Sequence, residues 1–370
     1  MKRRHFLRRL GGGALVAGST LAAGCGPAPQ ADCKGRAAGD RFSAKWKMVT
    51  TWPKNFPGLG TGANTLARLI TEMSGGRIQV HVYGAKELVP AFEVFDAVSQ
   101  GTAQLGHGSA YYWKGKIEGA QFFSTVPFGL TADEMNAWLY HGGGMELWRE
   151  TYRPFGLVPL AAGNTGVQMA GWFNREIHRL DDLKGLKMRI PGLGGEVLRR
   201  AGGTPVSLPG GELFTSLQSG AIDATEWVGP YNDLAFGLYK AAKYYYYPGW
   251  HEPGTTLECI VNRKAWESLP EDLRQIVAAA ARAANQEILT EMIARNNQAL
   301  QTLVQEHQVQ LRKLPDDVLA RLRELSQEVV AEIADKDALS RRVYESYLAF
   351  REQVMAWSRI SEQAFLQARG

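Results

Sequence analysis

From Trp46 to Gly108 the chain switches repeatedly between two hydrophobic spacings, and this alternation limits the fold more than any other feature. Trp46–Trp52 has strand composition and stops at Pro53. Ala63, Leu66, Ala67, Ile70 and Met73 then follow helical spacing until Gly75 and Gly76. Ile78, Val80 and Val82 alternate as a strand, residues 92–100 return to helical spacing, and Ala103–Gly108 reads as a short strand. Strands separated by helix-length crossovers pair in parallel rather than as hairpins, so the pattern predicts an α/β fold.

Further strands are expected at Leu157–Gly163, Val167–Phe173, Leu186–Ile190, Ala221–Trp227 and Thr255–Asn262, and helices at Glu196–Ala201 and Glu212–Gln218. Pro270–Leu303 reads as one very long helix, and two helical stretches close the chain. The last carries Val343, Tyr347, Phe350, Val354 and Trp357, a stripe that suits either an internal core or a groove on a partner.

The N-terminus explains the charge. Of 42 basic residues, Lys2, Arg3, Arg4, Arg8 and Arg9 fall within residues 1–25, which hold no acid. The remaining 37 basic residues meet 37 acidic ones, so the formal +5 belongs to the leader and nothing favours a nucleic acid. A basic start, a weakly apolar Leu10–Gly24 run and small residues at its end form an export signal of twin-arginine type. The run is too short and glycine-rich for a membrane anchor. Leu21–Cys25 resembles a lipoprotein cleavage box in which Cys25 becomes lipidated; ordinary cleavage nearby is the alternative. Residues 26–41 read as a flexible tether. An oxidising compartment would allow Cys33 to pair with Cys259, although spacing alone does not select that pair.

Asp182–Pro191 places Arg189 at a strand end before a glycine-rich turn, where α/β sheets bind ligands and where a guanidinium suits a carboxylate. Taken with Leu213–Tyr231 and Tyr247–Pro253, which hold Glu226-Trp227 and Trp250-His251-Glu252-Pro253, this motif makes the specific match. Residues 42–370 resemble an extracytoplasmic solute-binding protein of the tripartite ATP-independent periplasmic (TRAP) transporters, in the branch that binds 2-oxo and 2-hydroxy monocarboxylates.

That resemblance implies a two-lobed periplasmic solute-binding fold with a long connecting helix and extra C-terminal helices. Lobe one would be residues 42–165 with 255–263, lobe two 166–254, the connecting helix 264–315, and the C-terminal helices 316–370, which exchange between protomers in this branch and so imply a homodimer. It implies that Arg189 grips the ligand carboxylate and that Gln168, Glu226 and the Trp227 main-chain oxygen hold Na⁺ or Ca²⁺, which also contacts the ligand. The residue types fit independently: hard cations take carboxylate, amide and carbonyl oxygens, and a cation beside Glu226 reverses its repulsion of an anion. Glu252 is a further candidate cation ligand or a turn cap. Tyr111 is expected to close over the ligand, with Tyr112 fitting almost as well, and Trp52 to wall the cleft. The expected partners are a small monocarboxylate, such as pyruvate, 2-oxobutyrate or lactate, and the small and large permease subunits.

Enzyme signatures fail. Gly192–Val197 lacks the third glycine of a dinucleotide loop, no His-Glu-x-x-His pair occurs, and Gly106-His107-Gly108-Ser109 lacks nucleophile-elbow spacing. The competing expectations are an exported metal-assisted enzyme acting on a small acid, and a ligand-sensing module that docks on a receptor.

Overall fold

The computed structural model describes residues 42–370, which form one compact unit. In chain order its strands are β1 (Ala44–Thr50), β2 (Ile78–Tyr83), β3 (Leu105–Gly108), β4 (Leu157–Asn164), β5 (Gly171–Phe173), β6 (Lys187–Arg189), β7 (Thr204–Val206), β8 (Ala224–Thr225), β9 (Tyr244–Tyr247), β10 (Thr256–Asn262) and β11 (Gln310–Lys313). They make two sheets, ordered β2-β1-β3-β10-β4 and β11-β9-β5-β8-β6-β7. The chain therefore builds the first sheet, moves into the second, returns once as β10 and reaches back to the second as β11. Such repeated crossing defines a two-lobed α/β architecture.

Local sequence explains the first sheet. Strand β1 turns Trp46 and Met48 inward and Lys45 and Lys47 outward, then pairs in parallel with β2 and β3. The crossover helix Gly60–Met73 buries Ala63, Leu66, Ala67 and Ile70, and Gly75 and Gly76 reverse the chain at positive φ. The long helix Glu271–Gln301 lays Leu273, Val277, Ala280, Ala284 and Ile288 inward, so one rod serves the cores of both sheets. Helices Asp316–Ala334 and Ala338–Ile360 pack Val318, Leu322, Val343 and Tyr347 into a third shared core. No helix among the described residues is long and apolar enough to cross a membrane.

Three expectations need correction. Val167–Phe173 is strand only from Gly171, because the amides before it bond to different segments: Gln168 to Glu252, Met169 to Val228 and Ala170 to Tyr246. Ala221–Trp227 is strand only at Ala224–Thr225, with the Glu226 amide still bonded to the Arg189 carbonyl at the end of β6. Residues 264–315 are not one connecting helix: Arg263–Ser268 is a separate short helix, the long helix runs from Glu271 to Gln301 and on through a π-helical turn to Glu306, and Gln310–Lys313 pairs with β9. Cys259 is buried on β10, while Cys25 and Cys33 lie outside the described residues, as do the export signal and tether.

Candidate functional site

The ends of short strands and the loops that follow them deliver the site. Arg189 closes β6, Glu226 and Trp227 follow β8, and Gln168 lies between β4 and β5. His251 and Glu252 stand on the turn between β9 and β10, and Tyr111 and Tyr112 on the 3₁₀ turn Ala110–Trp113 after β3. Two glycines permit the approach. A Cβ on Gly249 would sit 2.2 Å from the Gln168 carbonyl oxygen, and one on Gly194 would sit 2.8 Å from His251 Cβ. The glycine-rich turn after Arg189 is the start of helix Gly192–Arg200, which explains its composition without any nucleotide.

Arg189 is fully engaged. Its Nε donates to the Leu208 carbonyl at 3.1 Å, Nη1 pairs with Glu226 Oε1, and Nη2 donates to the Tyr112 hydroxyl at 3.2 Å. The guanidinium also lies 5.1 Å from the Trp227 ring centroid. Arg189 and Glu226 are 1% and 0% exposed, so this is a buried ion pair that water does not screen. Gln168 Nε2 donates to Glu252 Oε2 at 2.8 Å and to Thr165 Oγ1 at 3.1 Å, and the Thr255 hydroxyl donates to the same Glu252 oxygen. Burial pushes the Glu252 carboxyl well above the usual range, and the Glu226 charge pushes it further.

Several polar atoms are buried here with no hydrogen-bond partner: Glu226 Oε2, Gln168 Oε1, Trp227 Nε1 and both ring nitrogens of His251, whose Nε2 lies 3.5 Å from Glu226 Oε2. One ligand atom each of Glu226, His251 and Glu252 lies within 4.8 Å of the others. Buried polar atoms are normally satisfied, so a group of them facing one place marks a position built for a guest. Carboxylate and amide oxygens suit a hard cation, and the donor set fits that chemistry. Beside them lies a small cavity, lined by Trp52, Leu59, Tyr111, Tyr112, Gln168 and Leu257 among others.

The structure thus gathers Arg189, Gln168, Glu226, Trp227 and Glu252, and sets Tyr111, Tyr112 and Trp52 on the cavity wall. Of the two tyrosines, Tyr112 reaches Arg189; Tyr111 stands edge-on to it, 4.7 Å between ring centroids. Sequence reasoning assigned no role to His251, Thr165 or Thr255. His251 adjoins Glu252 in a motif already singled out, a usable signal; the threonines carried none.

A family model described as bacterial extracellular solute-binding protein, family 7 matches residues 48–337. A monocarboxylate 2-oxoacid-binding periplasmic protein from Nostoc sp. is 44% identical over 325 residues, covering 87% of this chain and 88% of that protein. A TRAP periplasmic solute-binding protein from Pseudoalteromonas atlantica, solved with bound sodium and pyruvate, superposes with a TM-score of 0.85 at 44% identity, covering 88% of this chain and 99% of that one. A TRAP solute-binding protein from Bordetella bronchiseptica, a mixed-occupancy dimer with calcium and picolinate in its occupied site, gives 0.87 at 35% identity, covering 89% and 98%. With a family model spanning most of its length and a two-lobed fold shared with these relatives, the chain belongs to the extracellular solute-binding protein family 7, as a transport binding protein and not an enzyme.

Proposed function

We propose that this protein binds a small 2-oxo or 2-hydroxy monocarboxylate together with Na⁺ or Ca²⁺ outside the cytoplasm and delivers it to the small and large membrane subunits of a TRAP transporter. The observation that carries this reading is the buried pairing of Arg189 with Glu226 beside unpartnered oxygens of Gln168 and Glu226. Arg189 would hold the ligand carboxylate, with Tyr112 or Tyr111 beside it. Gln168, Glu226, the Trp227 main-chain oxygen and Glu252 would hold the cation, with His251 next to them. A bound cation supplies positive charge that lets a carboxylate and its neighbouring oxygen sit near Glu226.

The ion pair explains why acid and cation should enter together. An acid that takes Arg189 leaves Glu226 without its guanidinium partner, and removing one member of a buried pair costs roughly 3–5 kcal/mol. A cation gives Glu226 a positive neighbour in its place, beside the His251 ring whose Nε2 lies 3.5 Å from Glu226 Oε2. Binding of each therefore favours the other by the same factor. The relatives that hold sodium with pyruvate and calcium with picolinate support this reading, since each ligand carries a carboxylate with an adjacent heteroatom.

The leader's sequence supports export along the twin-arginine route, with Cys25 as the candidate lipid anchor and ordinary cleavage nearby as the alternative. A homodimer is supported by the exposed Trp357, Ile360, Phe365 and Leu366 at the C-terminus and by the dimeric Bordetella bronchiseptica relative. The experiment that tests the ligand class compares pyruvate and lactate with propionate, which lacks the C2 oxygen. Propionate should bind weaker by on the order of 100-fold or more, because it leaves buried polar groups unpaired. Equal affinity for all three would overturn the proposed chelating contact.

A further inference from the structure

We propose that His107 is a positioning residue that sets the chain-length limit of the pocket by fixing the Trp52 indole; the inference rests on the monocarboxylate reading above. His107 lies on β3, its ring buried and bonded at both nitrogens. Trp52 Nε1 donates to His107 Nδ1 at 2.8 Å, and His107 Nε2 lies 3.2 Å from the Ala162 carbonyl oxygen on β4. An indole nitrogen only donates, so the Nδ1 it meets carries no proton, and Nε2–H donates to Ala162. Burial holds the imidazole down to about 4, which keeps that acceptor bare at ordinary pH.

The indole has one polar atom, so His107 provides the one hydrogen bond that can choose among orientations of a ring whose last torsion is otherwise broad. Trp52 is 2% exposed and forms part of the cavity lining with Leu59, Val228 and Leu257. Its ring stands edge-on to Trp227 at 6.1 Å and tilted to Tyr112 at 6.3 Å, the two aromatic side chains set against the Arg189 guanidinium. Carbons beyond C2 of an acid held by Arg189 must fit against these apolar side chains. A Trp52 ring fixed from behind ends that space; a ring free to turn would lengthen it. The histidine acts through Trp52, not on the ligand.

The test is the ratio of affinities for 2-oxohexanoate and pyruvate, measured by calorimetry in the full protein with Na⁺ present. His107→Leu should shift the ratio toward the longer acid by roughly 10-fold or more, within the range that one or two methylenes command. His107→Gln, which can accept from Trp52 and donate to Ala162, should stay within about 3-fold of the wild type. His107→Met, a side chain of similar volume with only a weak acceptor, should shift the ratio in the same direction and decides the matter if His107→Leu does not fold. An unchanged ratio in a folded His107→Leu or His107→Met protein overturns the inference while pyruvate binding stands. A wild type that binds neither acid overturns the monocarboxylate reading itself.

Discussion

Arg189 and Glu226 occupy each other in the structure, and that mutual claim governs the substitutions that test the site. Arg189→Lys replaces a planar fork with a point charge, so pyruvate affinity should fall on the order of 10- to 100-fold by calorimetry; a charge-assisted bond contributes roughly 1.5–3 kcal/mol. Unchanged affinity would remove Arg189 from the grip. Glu226→Gln should act differently, keeping an oxygen but losing the charge that requires a cation. Titrating Na⁺ or Ca²⁺ at fixed pyruvate should give a flat response in this variant and a steep one in the wild type. A steep response in both would place the cation elsewhere. At this scale the sequence was legible where a residue type has few uses: a strand-end arginine, a glutamate before a tryptophan. The choice between Tyr111 and Tyr112 was not legible, because it depends on how a 3₁₀ turn rotates two adjacent side chains.

The elements behind the site hold ionisable groups of their own. Glu258 on β10 is completely buried and accepts from Trp113 Nε1 and from the Tyr152 hydroxyl at 2.8 Å. It thereby ties the turn that carries Tyr111 and Tyr112 to the first sheet. Burial pushes its carboxyl up to about 7. A raised acid keeps in the folded state a proton that the unfolded chain releases, so its contribution to stability falls as pH rises from about 4.5 to about 7 and is level above. His107 has the opposite sign over about 4 to 6.5, because the unfolded chain takes up the proton first. Comparing Glu258→Gln with the wild type isolates the acid. The melting temperature should decline less with pH in the variant across 4.5–7, a difference of up to about 3 kcal/mol. Parallel curves would contradict a protonated Glu258. The first sheet's strands were readable because they alternate or run apolar for four residues or more. In the second sheet β5, β6 and β8 fall inside expected strands whose bounds ran long, because two or three residues carry too little period to mark where a strand ends. Four tyrosines in a row at β9 and the polar edge strand β11 gave no signal at all.

The whole molecule is held together by segments that cross it: β10, the long helix and the two helices after it. The aromatic stripe of the last long helix divides in two. Val343 and Tyr347 are buried in the core, the Tyr347 hydroxyl accepting from the Leu130 amide at 2.8 Å, whereas Trp357 is 65% exposed. Ending the chain after Met355 therefore removes the exposed end and leaves the core half in place. Light scattering should give a dimer mass for the full chain and a monomer mass for the shortened one; equal masses would contradict the C-terminal interface. The central claim, that one buried site takes an organic acid and an inorganic cation as a unit, is tested most directly by titrating pyruvate into protein stripped of metal ions, then repeating with Na⁺ and with Ca²⁺ restored. Near-stoichiometric binding in the restored samples and none in the stripped one is the predicted result. The same affinity in all three, or no binding in any, would contradict it.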